Sequence, residues 1–335
     1  GAGWWCYIGN SGTGNLTLTG GALSLTNGGT GTTAFSGIIS GTASTITKAG
    51  TGRLTLSGAN TYTGATTISA GILAVSGNLS NSTAVTVSSG ATYNVNASQW
   101  IGSLAGAGTV STANTSGTTI LTVGADNSST IFSGVIQNNG SGLIALTKTG
   151  AGTLTLSGNN SYTGGTTINN GTINMGSANA ISTSGTISFG GGTLQHSSSN
   201  TTDYSSRFSS AASQAYRVDT NGQNVTLATA LTSSGGSFTK LGTGTLTLTG
   251  ANTYTGGTNV NAGTLTLDRA SLTAGTVLAD TGAVIVNGGT LHLIDLTETV
   301  GAVTLTSGSI TVGTTGNTLT GTSYTLNPSS GTTHS

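Results

Sequence analysis

Residues 148–173 read KTGAGTLTLSGNNSYTGGTTINNGTI. The same pattern stands at 48–73, KAGTGRLTLSGANTYTGATTISAGIL, and at 240–265, KLGTGTLTLTGANTYTGGTNVNAGTL. Thirteen of the 26 aligned positions are identical in all three copies. A repeated unit this specific implies a modular, quasi-one-dimensional architecture. Inside each copy, Leu54-Thr55-Leu56, Leu154-Thr155-Leu156 and Leu246-Thr247-Leu248 alternate apolar and β-branched polar residues. Alternation of period two marks a strand with one buried face.

Working outward, similar short runs fill the chain. Examples are 15–19, 22–26, 84–87, 118–123, 225–227, 283–286 and 302–306. Gly, Asn and Ser separate them, with corner pairs such as Gly28-Gly29, Asn170-Gly171, Ala262-Gly263 and Asn287-Gly288. Gly and Asn reach positive φ at little steric cost, so they permit tight corners. No stretch has the i, i+3, i+4, i+7 apolar spacing of a helix. Short strands joined by corners coil into a solenoid whose turns stack about 4.8 Å apart. At roughly 20 residues per turn the chain makes roughly 16 coils, a rod near about 80 Å long. The copies begin at Lys48, Lys148 and Lys240, so their spacings are 148 − 48 = 100 and 240 − 148 = 92 residues. Variable coils therefore lie between conserved ones. Ala34-Phe35-Ser36-Gly37-Ile38-Ile39 and Ile131-Phe132-Ser133-Gly134-Val135-Ile136 precede the first two copies at similar distances. The expected organisation is one continuous solenoid over 1–335.

Composition narrows the function classes. Of 335 residues only 4% are charged, with seven basic and seven acidic side chains and a net charge of zero. That leaves no electrostatic footprint for nucleic acid or an anionic membrane. There are 57 glycines, one proline and one cysteine, so no internal disulfide framework exists. No apolar run is long enough to cross a bilayer as a helix. The chain opens at Gly1 without Met or a signal peptide, which reads as a mature or excised piece of something larger.

The segments 50–66, 150–166 and 242–258, with the core G-x-G-x-L-x-L-x-G-x-N-x-Y-x-G-x-T, resemble the passenger-associated transport repeat, also called the autotransporter-associated β-strand repeat. Residues 101–110, IGSLAGAGTV, look like a filler coil of such proteins. The resemblance implies a right-handed parallel β-helix on the outside of a bacterial cell, within a large secreted protein. Autotransporters end in a membrane β-barrel of amphipathic strands. Residues 327–335, NPSSGTTHS, are nothing of the kind, so transport by a barrel of its own is not expected from this stretch.

Within the repeat, the leucines are expected to form an inward aliphatic column and the threonines an outward ladder. Asn60, Asn160 and Asn252 read as corner residues whose amides bond turn backbone. Tyr62, Tyr162 and Tyr254 read as rings packed over a corner with the hydroxyl on backbone, or as aromatic platforms for sugars. Lys48, Lys148 and Lys240 are the only lysines. Each is expected to lay its stem along the coil with a solvated head.

Candidate sites lie outside the repeats. Asp203, Arg207, Arg217 and Asp219 fall in 196–222, the least strand-like segment. It reads as a projecting loop, either pinned by two Asp–Arg pairs or serving ligand recognition. Asp280, Asp295 and Glu298 with His292 form an acidic cluster, but its setting is ordinary strand and no calcium repeat is present. His196, His292 and His334 share no metal-ligand spacing, and Cys6 has no activating constellation. No catalytic residue, cofactor site or metal site is expected. Trp4, Trp5, Cys6 and Tyr7 crowd one end. They would cap the core or make an intermolecular contact, because solenoid ends offer unpaired strand edges. The resulting expectation is a non-enzymatic extracellular structural or adhesive solenoid segment. Its partners would be itself, end to end, or other surface components, carbohydrate among them. A self-assembling filament subunit is the alternative, with a carbohydrate-active β-helix enzyme behind it.

Overall fold

The computed structural model describes residues 4–6, 11–12, 14–19, 21–27, 31–269, 275–294, 297–313 and 316–327. They fall into two compact units, 1–185 and 186–335. Both are built from short strands paired in parallel with the strand one coil away.

In the first unit, the repeat strand Arg53–Leu56 lies between Thr32–Phe35 and Ile72–Val75, and Ile72–Val75 continues onto Thr92–Val95. Leu54 stands beside Leu73, and Leu73 beside Tyr93, so successive coils put a large apolar side chain at the same height. A second wall stacks Ala22–Thr26, Thr45–Ala49, Thr66–Ile68, Ala84–Val87 and Ser103–Gly106. A third stacks Gln99–Ile101, Thr118–Val123, Leu143–Lys148 and Thr166–Ile168. In the second unit, Ala215–Asp219, Ser237–Leu241, Thr258–Val260 and Val284–Ile294 form one wall. Val225–Leu227, Thr245–Leu248 and Thr264–Asp268 form another.

Parallel pairing between strands about one coil apart is the defining topology of a solenoid, because each strand edge is satisfied by the next turn. The chain makes about 14 turns, slightly fewer than the roughly 16 expected at about 20 residues per turn. Longer coils account for the difference: Thr119 pairs with Ile144 and Val110 with Ile136, offsets of 25 and 26 residues. Among the described residues there is no α-helix, only a one-turn 3₁₀ segment at Ser205–Arg207.

The expected strands at 22–26, 84–87, 118–123 and 225–227 form with those bounds. The one at 302–306 lies inside the longer strand Thr297–Val312, and the one at 283–286 overlaps the start of Val284–Ile294. Asn287-Gly288 is the expected corner, although the strand Val284–Ile294 runs through it: residues before it pair with Thr258–Val260 and residues after it with Thr264–Asp268, with a register shift between. The pair Gly28-Gly29 lies outside the described residues.

Leu54, Leu56, Leu154, Leu156, Leu246 and Leu248 are all buried, as the alternation requires. Each contributes about 1.5–3 kcal/mol of apolar burial. The outward Thr ladder is only partly present. Thr247 stacks between Thr226 and Thr266, whereas Thr55 stacks between Ala34 and Ala74. Outward positions range from exposed to buried, as at Thr226 and at Ala74 and Thr266, so no single residue type is required along the column.

The repeat glycine after Leu-Thr-Leu-x has a reason that turn propensity does not supply. A Cβ on Gly158 would overlap the Gly134 carbonyl oxygen, and one on Gly134 would overlap that of Gly108. Gly77, Gly58 and Gly37 stack in the same way. Here one coil's backbone rests directly on the next, leaving no room for a side chain. Gly158→Ala is therefore expected to destabilise the first unit by about 1–3 kcal/mol through overpacking. Urea unfolding followed by circular dichroism checks it, and an unchanged midpoint would refute the close-approach reading.

Candidate functional site

Three groups of repeat side chains are buried at the turns between strands, the lysine at one turn and the asparagine and tyrosine at the next. The first is the lysine. Lys48, Lys148 and Lys240 are 0%, 1% and 0% exposed, the reverse of the solvated heads expected from sequence. Lys48 Nζ donates to the carbonyls of Ala49 (2.9 Å), Gly50 (2.7 Å) and Ala70 (3.0 Å). Lys240 Nζ repeats the arrangement with Leu241 (2.9 Å), Gly242 (2.6 Å) and Ala262 (3.1 Å). Lys148 Nζ donates to the carbonyls of Thr149 and Gly150. An ammonium has three N–H donors, and a cradle of backbone carbonyls takes them up. The repeat's glycines shape that cradle. Gly242 and Gly263 adopt φ of 65° and 60°, and a Cβ on Gly263 would come within 2.8 Å of Lys240 Nζ. Burial pushes Lys48 below its ordinary value, and pushes Lys148 and Lys240 down to about 8, with Asp126 and Asp219 respectively opposing the shift.

The second group is the asparagine. Asn60 Oδ1 accepts the Ile39 N–H (3.0 Å), while its Nδ2 donates to the carbonyls of Gly58 and Asn78 (both 3.0 Å). Asn252 does the same with Leu231 N–H, Gly250 and Val277 (2.8, 2.9 and 2.8 Å). Asn160 joins Ile136 N–H (2.7 Å) to the Ala180 carbonyl (2.7 Å). One amide thus ties its own corner to the coil before and the coil after.

The third group is the tyrosine. Tyr62, Tyr162 and Tyr254 are fully buried, and each hydroxyl pairs with a threonine four residues on: Thr66 (2.6 Å), Thr166 (2.8 Å) and Thr258 (2.8 Å). The ring packing was expected; the hydroxyl partner is a side chain rather than backbone. Burial removes the alternative in which these rings serve as sugar platforms. It also raises the pKa values of Tyr62 and Tyr254.

Three segments, 46–75, 146–175 and 238–267, match the sequence model of the Passenger-associated-transport-repeat, and they are the segments that form these corners. The chain carries three passenger-associated-transport repeats. It is also similar to "Adhesin BmaC autotransporter" of Brucella suis biovar 1 (strain 1330), 34% identical over 154 residues. The match covers 43% of this chain and 4% of that protein, so the chain spans a small fraction of its relative's length.

Between the repeats, the structure places the remaining candidates one by one. The segment 196–222 differs from a projecting loop. It contains the strand Ala215–Asp219 and buries His196, Asn200, Tyr204, Tyr216 and Val218. Asp203 accepts the N–H groups of Ser205 (2.7 Å) and Ala228 (2.8 Å). Asp219 accepts from Asn221 N–H and Gln195 Nε2, both at 2.8 Å. Arg217 Nε reaches Thr193 Oγ1 (3.5 Å), and the Arg207 guanidinium lies 5.5 Å from the Tyr204 ring centre. Phe189, Phe208, Tyr216, Tyr254 and Phe238 form a chain of ring contacts beside them. At the other end, Trp4–Cys6 is a strand whose backbone pairs in parallel with Leu23, Ser24 and Leu25. Tyr7 and His334 lie outside the described residues.

The acidic cluster does not assemble into a metal site among the described residues. Asp280 Oδ1 accepts from Thr276 Oγ1 (2.9 Å), and His292 Nδ1 pairs with Thr311 Oγ1 (2.8 Å). Asp295 lies outside the described residues. Glu298 has a different role, which sequence reasoning missed. It is fully buried and accepts the N–H groups of Val277 (2.9 Å) and Leu278 (2.6 Å). Asn252 holds the Val277 carbonyl from the other side, so Glu298 continues the corner clamp one coil on. Two N–H donors face it, where one donor and two carbonyls face Asn60 and Asn252, so an acceptor-only group fits. Burial, with Asp280 adding, pushes its carboxyl up to about 7. Its spacing of 298 − 277 = 21 residues from Val277 was the available signal, equal to the 60 − 39 = 21 of Asn60 and Ile39.

Two outcomes follow from these buried charges. Lys148→Met leaves carbonyls without donors and is expected to cost about 1–3 kcal/mol. Folded Lys148 and Lys240 release protons near pH 8, while unfolded lysine holds them to 10.5. The unfolded state then binds more protons, so stability rises with pH across that window. It falls again above pH 10, where unfolded tyrosines ionise and the buried ones do not. Wild type should thus unfold at higher denaturant at pH 9.5 than at pH 7.5, with a smaller gain in Lys148→Met; a flat profile would contradict the burial. Glu298 behaves oppositely. The folded chain holds a proton between 4.5 and about 7 that the unfolded chain has lost, so stability declines as pH rises through 7. Glu298→Gln loses one accepted bond, about 1 kcal/mol at pH 5, and abolishes that decline. The melting-temperature difference between the two proteins from pH 4 to 8 should shift steadily in favour of Glu298→Gln as pH rises, and parallel curves would exclude Glu298 as the titrating group.

Proposed function

We propose that this chain is a segment of an adhesive β-solenoid displayed outside a bacterial cell. In it the repeat-bearing coils act as rigid scaffold, and contact is made by outward side chains on the coils between them. The observation that carries the reading is the internal use of the repeat. Its lysines, asparagines and tyrosines are buried and satisfied by backbone or threonine, so its strongest sequence signal is spent on shape. The similarity to a protein named as an adhesin autotransporter supports adhesion and an extracellular place. The outward surface, poor in charge, is suited to neutral partners. No helix among the described residues is long and apolar enough to cross a membrane, which says nothing of a β-barrel.

A second reading, end-to-end association, is favoured by one observation. In the second unit, Tyr324 and Leu326 are 59% and 62% exposed, yet stand in register with the buried Val303 and Leu305. Another coil laid on the strand Thr318–Leu326 would cover them.

Beads coated with the purified chain are expected to bind cultured epithelial cells saturably, several-fold above albumin-coated beads. Binding no greater than albumin would reject the adhesive reading. Sedimentation velocity over a hundredfold concentration range tests the second, and a constant monomer mass would dismiss it.

A further inference from the structure

One outward side chain in the first unit breaks the pattern of its wall. Gln99–Ile101, Thr118–Val123, Leu143–Lys148 and Thr166–Ile168 stack so that Trp100, Thr122, Thr147 and Thr167 share a column. The neighbouring residues Ile101, Leu121, Leu146 and Ile168 are buried, so this column faces outward. Three coils place threonine there and the fourth places tryptophan, 62% exposed. Ile120, one strand over, is 42% exposed. Thr122 beside it is only 4% exposed, whereas most of the indole surface stays in water and forgoes apolar burial.

Trp100 stands in a groove of about 570 Å³, within the range of small-ligand sites. Around it are Asn78, Ser98, Ile120, Thr147 and Asn169, and no lining residue is charged. Asn78 and Asn169 are exposed. Gln99, also at the groove, is excluded as a contact. Its amide is buried in the corner, accepting from Leu79 N–H (3.1 Å) and donating to the Gly77 carbonyl (2.6 Å).

We propose that this groove binds a neutral saccharide, with one pyranose ring stacked on the Trp100 indole and its hydroxyls bonded by Asn78, Asn169 and Thr147. The ligand class follows from the lining. A sugar has an apolar C–H face for the indole and a hydroxyl rim for amides that both donate and accept. A purely apolar ligand would strip water from Asn and Thr without replacing the bonds. An anionic glycan, nucleotide or acidic peptide would meet no cation in the groove. A protein interface needs about 800 Å² per partner with a buried apolar centre, and here the apolar part is only Trp100, Ile120 and Leu79, over a much smaller area. This deepens the adhesive reading above and rests on it for the biological setting, while the groove chemistry stands on its own residues.

The test uses the whole chain and a panel of neutral gluco- and galacto-oligosaccharides, read by calorimetry and by Trp fluorescence. At least one should bind with a Kd below about 1 mM, unchanged between about 0.05 and 0.5 M NaCl. Trp100→Ala should weaken it about tenfold or more and Asn169→Ala about threefold, with melting temperatures unmoved. Because Trp100 lies outside the core, loss of folding is not the expected result; should it occur, Asn169→Ala carries the comparison alone. The proposal is overturned if no neutral oligosaccharide binds. It also falls if Trp100→Ala binds as wild type does, if only sulfated or sialylated glycans bind and salt abolishes it, or if Trp100→Ala changes self-association and not sugar binding. Should coated beads still bind cells while saccharide binding is absent, the groove assignment fails and the adhesive reading stands. Should the beads fail as well, both go.

Discussion

Parallel hydrogen bonding from one coil to the next is the interaction on which everything else in this protein depends. Each strand is two to six residues long over most of the chain, too short to hold a sheet alone. Stability comes from repetition, since most strands pair in parallel with a strand of the neighbouring coil. That demands that successive corners superpose, so the corners carry the most stringent residue requirements. Stacked glycines such as Gly108, Gly134 and Gly158 let backbones touch.

Superposed corners create a polar problem inside the wall. A corner turns carbonyls and N–H groups inward, away from both water and the strand ladder, and each unpaired group costs on the order of 1–3 kcal/mol. The repeats solve it with side chains that reach several coils at once. The lysine gathers carbonyls around one ammonium. The asparagine takes an N–H from the coil behind and gives to the coil ahead. Glu298 takes two N–H groups where no carbonyl faces it. Only 4% of the chain is charged, and three of its seven basic side chains are spent inside. Outward surface is left nearly neutral, which is why the exposed indole of Trp100 beside amides and hydroxyls stands out as chemistry.

Much of this was legible in sequence. Leu-Thr-Leu placed the core column, and Asn60, Asn160 and Asn252 were recognisable as corner residues because short amides bond turn backbone. The lysines misled, since a lone Lys near a glycine turn normally snorkels to water. Nothing local shows that three carbonyls wait for it. The segment 196–222 misled for a related reason. Its aromatic residues and polar spacers obscured the alternation, yet Tyr216 and Val218 point into the core of the second unit. Trp100 carried no signal at all, being one tryptophan in a short strand.

The sequence by itself determined that this is an all-β solenoid, that most of its strands are short, and that the leucines of the repeat face inward. These follow from a period of two and from glycine and asparagine at corners, both properties of neighbouring residues. Only the tertiary structure decided what lies beside what across 17 to 27 residues: Lys240 under Ala262, Glu298 under Val277, Trp100 beside Thr122. Coil length varies with each insertion, so the register between coils cannot be counted from periodicity. It is set by which corners can stack backbone on backbone.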